Sequence, residues 1–166
     1  MKVKYLILVA SLMLSISVNA QQTDKWEKWN LLIGNWTGEG SGLSGEGTGS
    51  FSFTFDLNQN ILIRKSDYHY VLDKTNIIFN DMMVIYLVDG TPSKAIFFNN
   101  DGFSRNYSIS YSDKSITLIS EKLPQTPIFK LTYTFINDLN ITLKFEIARD
   151  GINFITYSEE VGKKKL

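Results

Sequence analysis

The sequence has no cysteine and a single histidine, and neither charge sign is in surplus, with 17 basic and 17 acidic residues among 166. Missing thiols exclude disulfides, thiolate catalysis and cysteine-ligated metals together. One histidine, His69, cannot build a three-histidine zinc site. Balanced charge gives no reason to expect a nucleic-acid partner. The one charge run, Lys163 to Lys165, reads as a solvated tail. From Gly34 onward any sustained helical period is also missing.

What is present begins with a leader. Lys2 and Lys4 give a positive start, Tyr5 to Val18 an apolar run broken by serines, and Val18-Asn19-Ala20 a small-residue cleavage site. The run falls short of the roughly 20 apolar residues a membrane helix needs. The expected organisation is therefore a signal peptide over 1–20 and one domain over 21–166, long enough for a single core. Removal of the leader takes away two lysines and no acid, for a net charge of −2. With no cysteine at the cleavage site there is nothing to lipidate, so the expected location is secreted or periplasmic.

Thr23-Asp24 can cap a short helix that carries Trp26, Trp29 and Leu32 or Ile33 at helical spacing, enough to plug one end of a β-structure. Glycines then recur at 34, 38, 40, 42, 45, 47 and 49, which in a strand implies sharp curvature or close backbone approach. Beyond them the period is two. Phe51, Phe53, Phe55 and Leu57 oppose Ser50, Ser52, Thr54 and Asp56, and Phe103, Arg105, Tyr107, Ile109 and Tyr111 alternate with Ser and Asn. Further strands are expected over Ile61 to Val71, Met82 to Val88, Ala95 to Phe98, Ile116 to Ser120, Phe129 to Phe135, Ile141 to Ile147 and Asn153 to Gly162. Turns at Asn58 to Asn60, Asp89 to Pro92, Asn99 to Gly102, Asp113-Lys114, Asn137-Asp138 and Asp150-Gly151 are of hairpin length. About ten antiparallel strands with one greasy face mean an all-β barrel or sandwich, and a closed barrel removes the sheet edges. A membrane barrel is disfavoured, because the outward positions are Ser, Asn, Lys and Thr and the chain ends Lys165-Leu166.

Several residues invite chemistry. Gly40 to Gly45 satisfies Gly-x-Gly-x-x-Gly, but a strand rather than a helix comes after it, so no dinucleotide is expected. His69 and Asp67 share a strand face, which permits an oriented imidazole, yet no nucleophile accompanies them. Arg105 shares its face with aromatics; it either receives a carboxylate inside the barrel or snorkels to water at the strand end. For the third strand, a two-residue turn pairs Phe53 with Arg64 and sends Arg64, Tyr68 and Tyr70 inward. A three-residue turn pairs Phe53 with Lys65 and sends Asp67 and His69 inward; the first is favoured. Tyr107, Tyr133 and Ser120 offer hydroxyls to a ligand, or to the core's own backbone. Sequons at Asn35, Asn106 and Asn140 fall in or beside strands and read as accidental.

Gly34-Asn35-Trp36, directly after a short aromatic turn, resembles the Gly-x-Trp signature of lipocalins and their calycin relatives. The extension through Gly38, Gly40 and Gly42 looks more like the opening of nitrobindin-type barrels and of lipocalin-like exported bacterial proteins. The resemblance implies an up-and-down barrel whose base is closed by Trp36 and whose lumen takes a small hydrophobic or amphipathic molecule. Fatty-acid-binding calycins anchor their ligand on an interior arginine, which puts Arg105 or Arg64 in that role. The haem-ligating histidine that nitrobindins carry near the C-terminus is missing, as is the Tyr-Pro after the glycines, where Leu43-Ser44 stand. No haem or other cofactor is expected. The leading expectation is an exported binding barrel without catalysis, with Trp36, Arg64, Tyr68, Arg105, Tyr107, Ser120 and Tyr133 as ligand contacts. The alternatives are a barrel packed solid with its 11 Phe and 8 Tyr, or an enzyme using Asp67 and His69.

Overall fold

Alternating strands with one apolar face can bury that face against themselves only by curling, and here the sheet curls until its ends meet. The computed structural model describes residues 24–42, 45–72 and 74–166; the expected leader, Thr23 and Leu43-Ser44 lie outside the described residues. One helical turn, α1 (Glu27–Asn30), precedes ten strands. These are β1 (Gly34–Gly42), β2 (Gly45–Asp56), β3 (Ile61–Leu72), β4 (Thr75–Val88), β5 (Thr91–Asn99), β6 (Ser104–Tyr111), β7 (Ser115–Ser120), β8 (Ile128–Asn137), β9 (Asn140–Ala148) and β10 (Ile155–Lys164). Each pairs antiparallel with the next, and β1 pairs with β10 from Trp36↔Lys164 to Gly42↔Ser158, so the barrel closes.

Turn chemistry sets the register. Asn58 and Gln59 both take left-handed φ values, 55° and 60°, as a two-residue hairpin turn that matches the sheet twist requires. The resulting pairs are Phe53↔Arg64 and Phe51↔Ser66, which settles the third strand with Arg64 and Tyr68 inward. Tyr111↔Ile116, Ile109↔Leu118 and Tyr107↔Ser120 pair as the β6–β7 turn predicts. Three strands differ from the sequence expectation. β5 starts at Thr91 rather than Ala95, because Thr91 and Pro92 pair with Val88 and Leu87 instead of staying in the turn. β4 starts at Thr75 rather than Met82, because pairing with β3 carries its polar first half into the sheet. β10 runs two residues further along than expected, and its ladder shifts register between Thr156 and Ser158.

One end of the barrel is packed solid. Trp26, Trp29, Leu32 and Trp36 are buried there against Phe53, and Trp36 stacks on Phe51 with ring centres 5.9 Å apart. Each indole N–H finds an acceptor, as a buried Trp requires. Trp26 donates to the Gln59 carbonyl at 2.9 Å, Trp29 to the Tyr111 hydroxyl at 2.8 Å, and Trp36 to the Leu32 carbonyl at 2.8 Å. Tyr111 in turn donates to the Pro92 carbonyl. The short aromatic segment thus plugs this end, and any space inside must lie toward the other.

Candidate functional site

The inward glycines of β1 and β2 build one wall. Register places Gly38, Gly40, Gly47 and Gly49 on the lumen side, where side chains from the flanking strands lie over them. A Cβ at Gly49 would fall 2.3 Å from Tyr68 Cδ1, and one at Gly38 would fall 2.6 Å from Glu160 Oε2. Tyr68 from β3 and Glu160 from β10 therefore lie across two strands that have surrendered their side chains. They meet above them, the Tyr68 hydroxyl donating to Glu160 Oε1 at 2.8 Å. The glycine run is close backbone approach put to use.

Beneath this bridge lies a buried ion pair. Arg64 Nη1 stands 2.5 Å from Asp81 Oδ1 on the neighbouring strand β4, with both side chains 4% exposed. Arg64 Nη2 donates to the Tyr68 hydroxyl at 3.2 Å. Burial opposes the guanidinium charge, but Asp81, helped by Tyr133, Tyr68 and Glu160, outweighs it and holds Arg64 firmly protonated. Burial also pushes the Tyr68 and Tyr133 hydroxyls well above the usual phenol range. Glu160 is raised from its ordinary 4.5, chiefly by burial, against the pull of Tyr68 and Arg64. Among the described residues, Arg64 Nε, Ser66 Oγ, the Tyr133 hydroxyl and, outside this cluster, Arg105 Nε are buried without a hydrogen-bond partner.

The opposite wall is aromatic. Tyr157, Phe145, Phe129, Phe103 and Phe97 succeed one another around β10 to β5, with successive ring centres 5.8–6.3 Å apart, and Tyr107 adjoins Phe97 at 6.4 Å. Edge-to-face and stacked pairs at such spacings lock the rings together. Between the two walls is a cavity of about 580 Å³, floored by Met83, Leu131 and Leu143. It reaches the surface beside the exposed Asp101 and Phe103, at the end away from the tryptophans. Its size lies in the range of small-molecule sites.

Of the residues singled out from sequence, Arg64, Tyr68, His69, Tyr70 and Tyr107 line this cavity. Trp36 is in the plug. Ser120 accepts from the Phe129 amide at 2.9 Å, and Tyr133 packs edge-on to Phe53 beside Arg64; both are buried and neither lines the cavity. Arg105 is buried, neither paired with a ligand-facing carboxylate nor snorkelling. Its guanidinium lies over Phe103 and Phe129, 5.1 and 5.5 Å from their centres, and donates to Thr126 Oγ1 and the Glu121 carbonyl at 3.1 and 3.4 Å. It faces the β7–β8 connection and braces the aromatic wall from behind. Asp67 and His69 sit 2.8 Å apart on the outer side of β3, each more than half exposed. No three His, Cys, Asp or Glu side chains converge as a metal site among the described residues.

Sequence reasoning missed Asp81 and Glu160. Asp81 falls in a stretch that reads as a polar connection, and Glu159-Glu160 stands in a strand with polar residues on both faces. The one signal that points to them is the glycine row, which has to make room for something.

No protein-family profile and no curated protein matches the sequence. Solved structures do match in shape. Rv2717c from M. tuberculosis superposes with a TM-score of 0.61 at 13% identity, over 86% of this chain and 98% of that one. The S-type phycobiliprotein lyase CPES from Guillardia theta gives 0.55 at 9% identity, over 87% and 94%. A third barrel, EF1p2_mFAP2b, solved bound to DFHBI, gives 0.45 at 10% identity, over 86% and 100%. The first two likenesses are of fold, an all-β barrel, shared with this chain's closed ten-strand antiparallel topology across almost unrelated sequences.

Proposed function

We propose that this protein is an exported binding barrel, related to the nitrobindin-like or lipocalin-like bacterial families, that holds a small hydrophobic or amphipathic molecule without transforming it. The observation that carries the reading is the cavity itself. A packed barrel would fill its interior from the plug to the far end, whereas here about 580 Å³ stands between an aromatic wall and a buried polar cluster. An aromatic wall takes apolar surface at about 25 cal/mol per Å² buried, and convergent polar groups orient the remainder. Arg64, Tyr68 and Tyr107 are the expected contacts among the residues picked out by sequence, and Asp81 and Glu160 join them. The wall's Phe side chains offer no nucleophile, and Asp67–His69 is a largely exposed pair of which only His69 borders the cavity.

Native mass spectrometry of the protein purified from its own host tests the reading, with extraction of whatever is bound. A copurifying amphiphile, and a mass lacking residues 1–20, are the expected results. A clean apo mass that takes up no apolar probe would favour a solid interior and redirect the search to the outer surface.

A further inference from the structure

The charges inside the lumen do not balance at the wall. Arg64 is the only Lys or Arg among the described residues that line the cavity, and it is already committed to Asp81 at 2.5 Å, while His69 at the lining is paired with Asp67 at 2.8 Å. Glu160 faces the same space with one neutral partner, the Tyr68 hydroxyl on Oε1, and no Lys, Arg or His lies within ion-pair distance of it among the described residues. Its other oxygen, Oε2, lies over Gly38. The second buried cation, Arg105, is turned behind Phe103 and Phe129 toward the β7–β8 connection. A ligand's polar head entering from the mouth therefore meets carboxylate in excess.

We infer that Glu160 is the head-group acceptor of this barrel and that its ligand is an amphiphile bearing a protonated amine. This rests on the binding-barrel reading and names the chemistry of the same site. An ammonium placed against Glu160 supplies the missing positive charge, and its tail lies along the aromatic rings opposite, with cation–π attraction from the nearest of them. A carboxylate head would face Glu160 and Asp81, a like-charge contact in a poorly screened interior, while Arg64 has already given Nη1 to Asp81 and Nη2 to Tyr68 and keeps only its buried Nε. The local architecture is devoted to holding this acid. A Cβ at Gly40 would fall 2.5 Å from Glu160 Cβ and 2.9 Å from its Cα, so β1 lacks side chains where Glu160 needs room.

Three probes with the same tail separate the possibilities: dodecylamine, dodecanol and dodecanoate, each titrated calorimetrically near neutral pH below its micellar concentration. The expected order of affinity is amine, alcohol, acid, with the amine favoured over the alcohol by on the order of tenfold, the usual gain from a hydrogen bond to a charged partner. In Glu160→Gln the amine should lose its advantage over the alcohol. The wild-type order is decisive by itself should that variant fold poorly. Acid binding tighter than amine, or an amine preference that survives Glu160→Gln, overturns the assignment of Glu160 and leaves the binding barrel standing. Failure of all three, the neutral alcohol included, overturns the binding barrel and this inference with it.

Discussion

Truncation of Asp81 to Ala isolates the energetics of the lumen's polar floor. Arg64 and Asp81 are 2.5 Å apart with 4% of each side chain exposed, so both charges have been stripped of water and depend on each other. Removing one partner of such a pair leaves a buried charge uncompensated, a loss of about 3–5 kcal/mol. For a domain of this size that lowers the melting midpoint by roughly 6–20 °C. Glu160, already linked to Arg64 through the Tyr68 hydroxyl, can absorb part of the charge and draws the expectation toward the lower end. Replacing both residues, as Arg64→Met with Asp81→Leu, should cost far less than the single change, since a packed apolar pair is often as stable as a buried ion pair. Urea unfolding monitored by tryptophan fluorescence reads all three proteins, because the indoles lie in the plug at the far end and report global unfolding. A loss under about 1 kcal/mol for Asp81→Ala, the value of an exposed pair, would refute the claim that the pair is desolvated.

The same geometry sets three further outcomes. Gly40→Ala should lose about 1–3 kcal/mol and weaken uptake of an apolar probe, since its Cβ would strike Glu160 and the Glu159 carbonyl; Gly90→Ala, with φ +76° and nothing within 4 Å, should lose about 1 kcal/mol through backbone strain and leave uptake intact. Trp29→Phe removes the donor to Tyr111 and should lose about 1–3 kcal/mol in urea unfolding, with probe affinity unchanged because the plug and the mouth are at opposite ends. Burial raises Glu160 above its ordinary 4.5, so the native chain holds this proton more tightly than the unfolded one; the stability contributed by this group falls as pH rises from 4.5 through the raised value, and Glu160→Gln should flatten that limb of a stability-versus-pH curve.

The architecture is legible because it is written in period two and in turns. Inward phenylalanines and outward serines fix a face, and Asn58-Gln59 then fixes the register that brings Arg64 inside. What the sequence could not convey depends on distance across the sheet. Tyr68 and Glu160 are 92 residues apart and meet only because two intervening strands carry no inward side chains there, a relation no local pattern encodes. Alternation suffices to place Arg105 inward among aromatics, but the direction of its guanidinium is decided by Thr126 and Glu121, in a connection with no periodicity at all. In β10 the register shift before Ser158 defeats simple alternation, so nothing local says which of Glu159 and Glu160 faces in.

The seam between β1 and β10 also governs when this protein can acquire its shape. Trp36 pairs with Lys164, so the cylinder cannot close until Lys164 has been synthesised, and closure must draw together the ends of a loop that contains nearly the whole barrel. The other nine pairings are between neighbours in sequence and can form as the chain emerges. Until the seam joins, the margins of the growing sheet are open edges, each able to recruit a strand from another molecule. Loss of the ten residues of β10 would thus do more than shorten the chain, because it would turn a ring into a ribbon with β1 and β9 as two sticky margins.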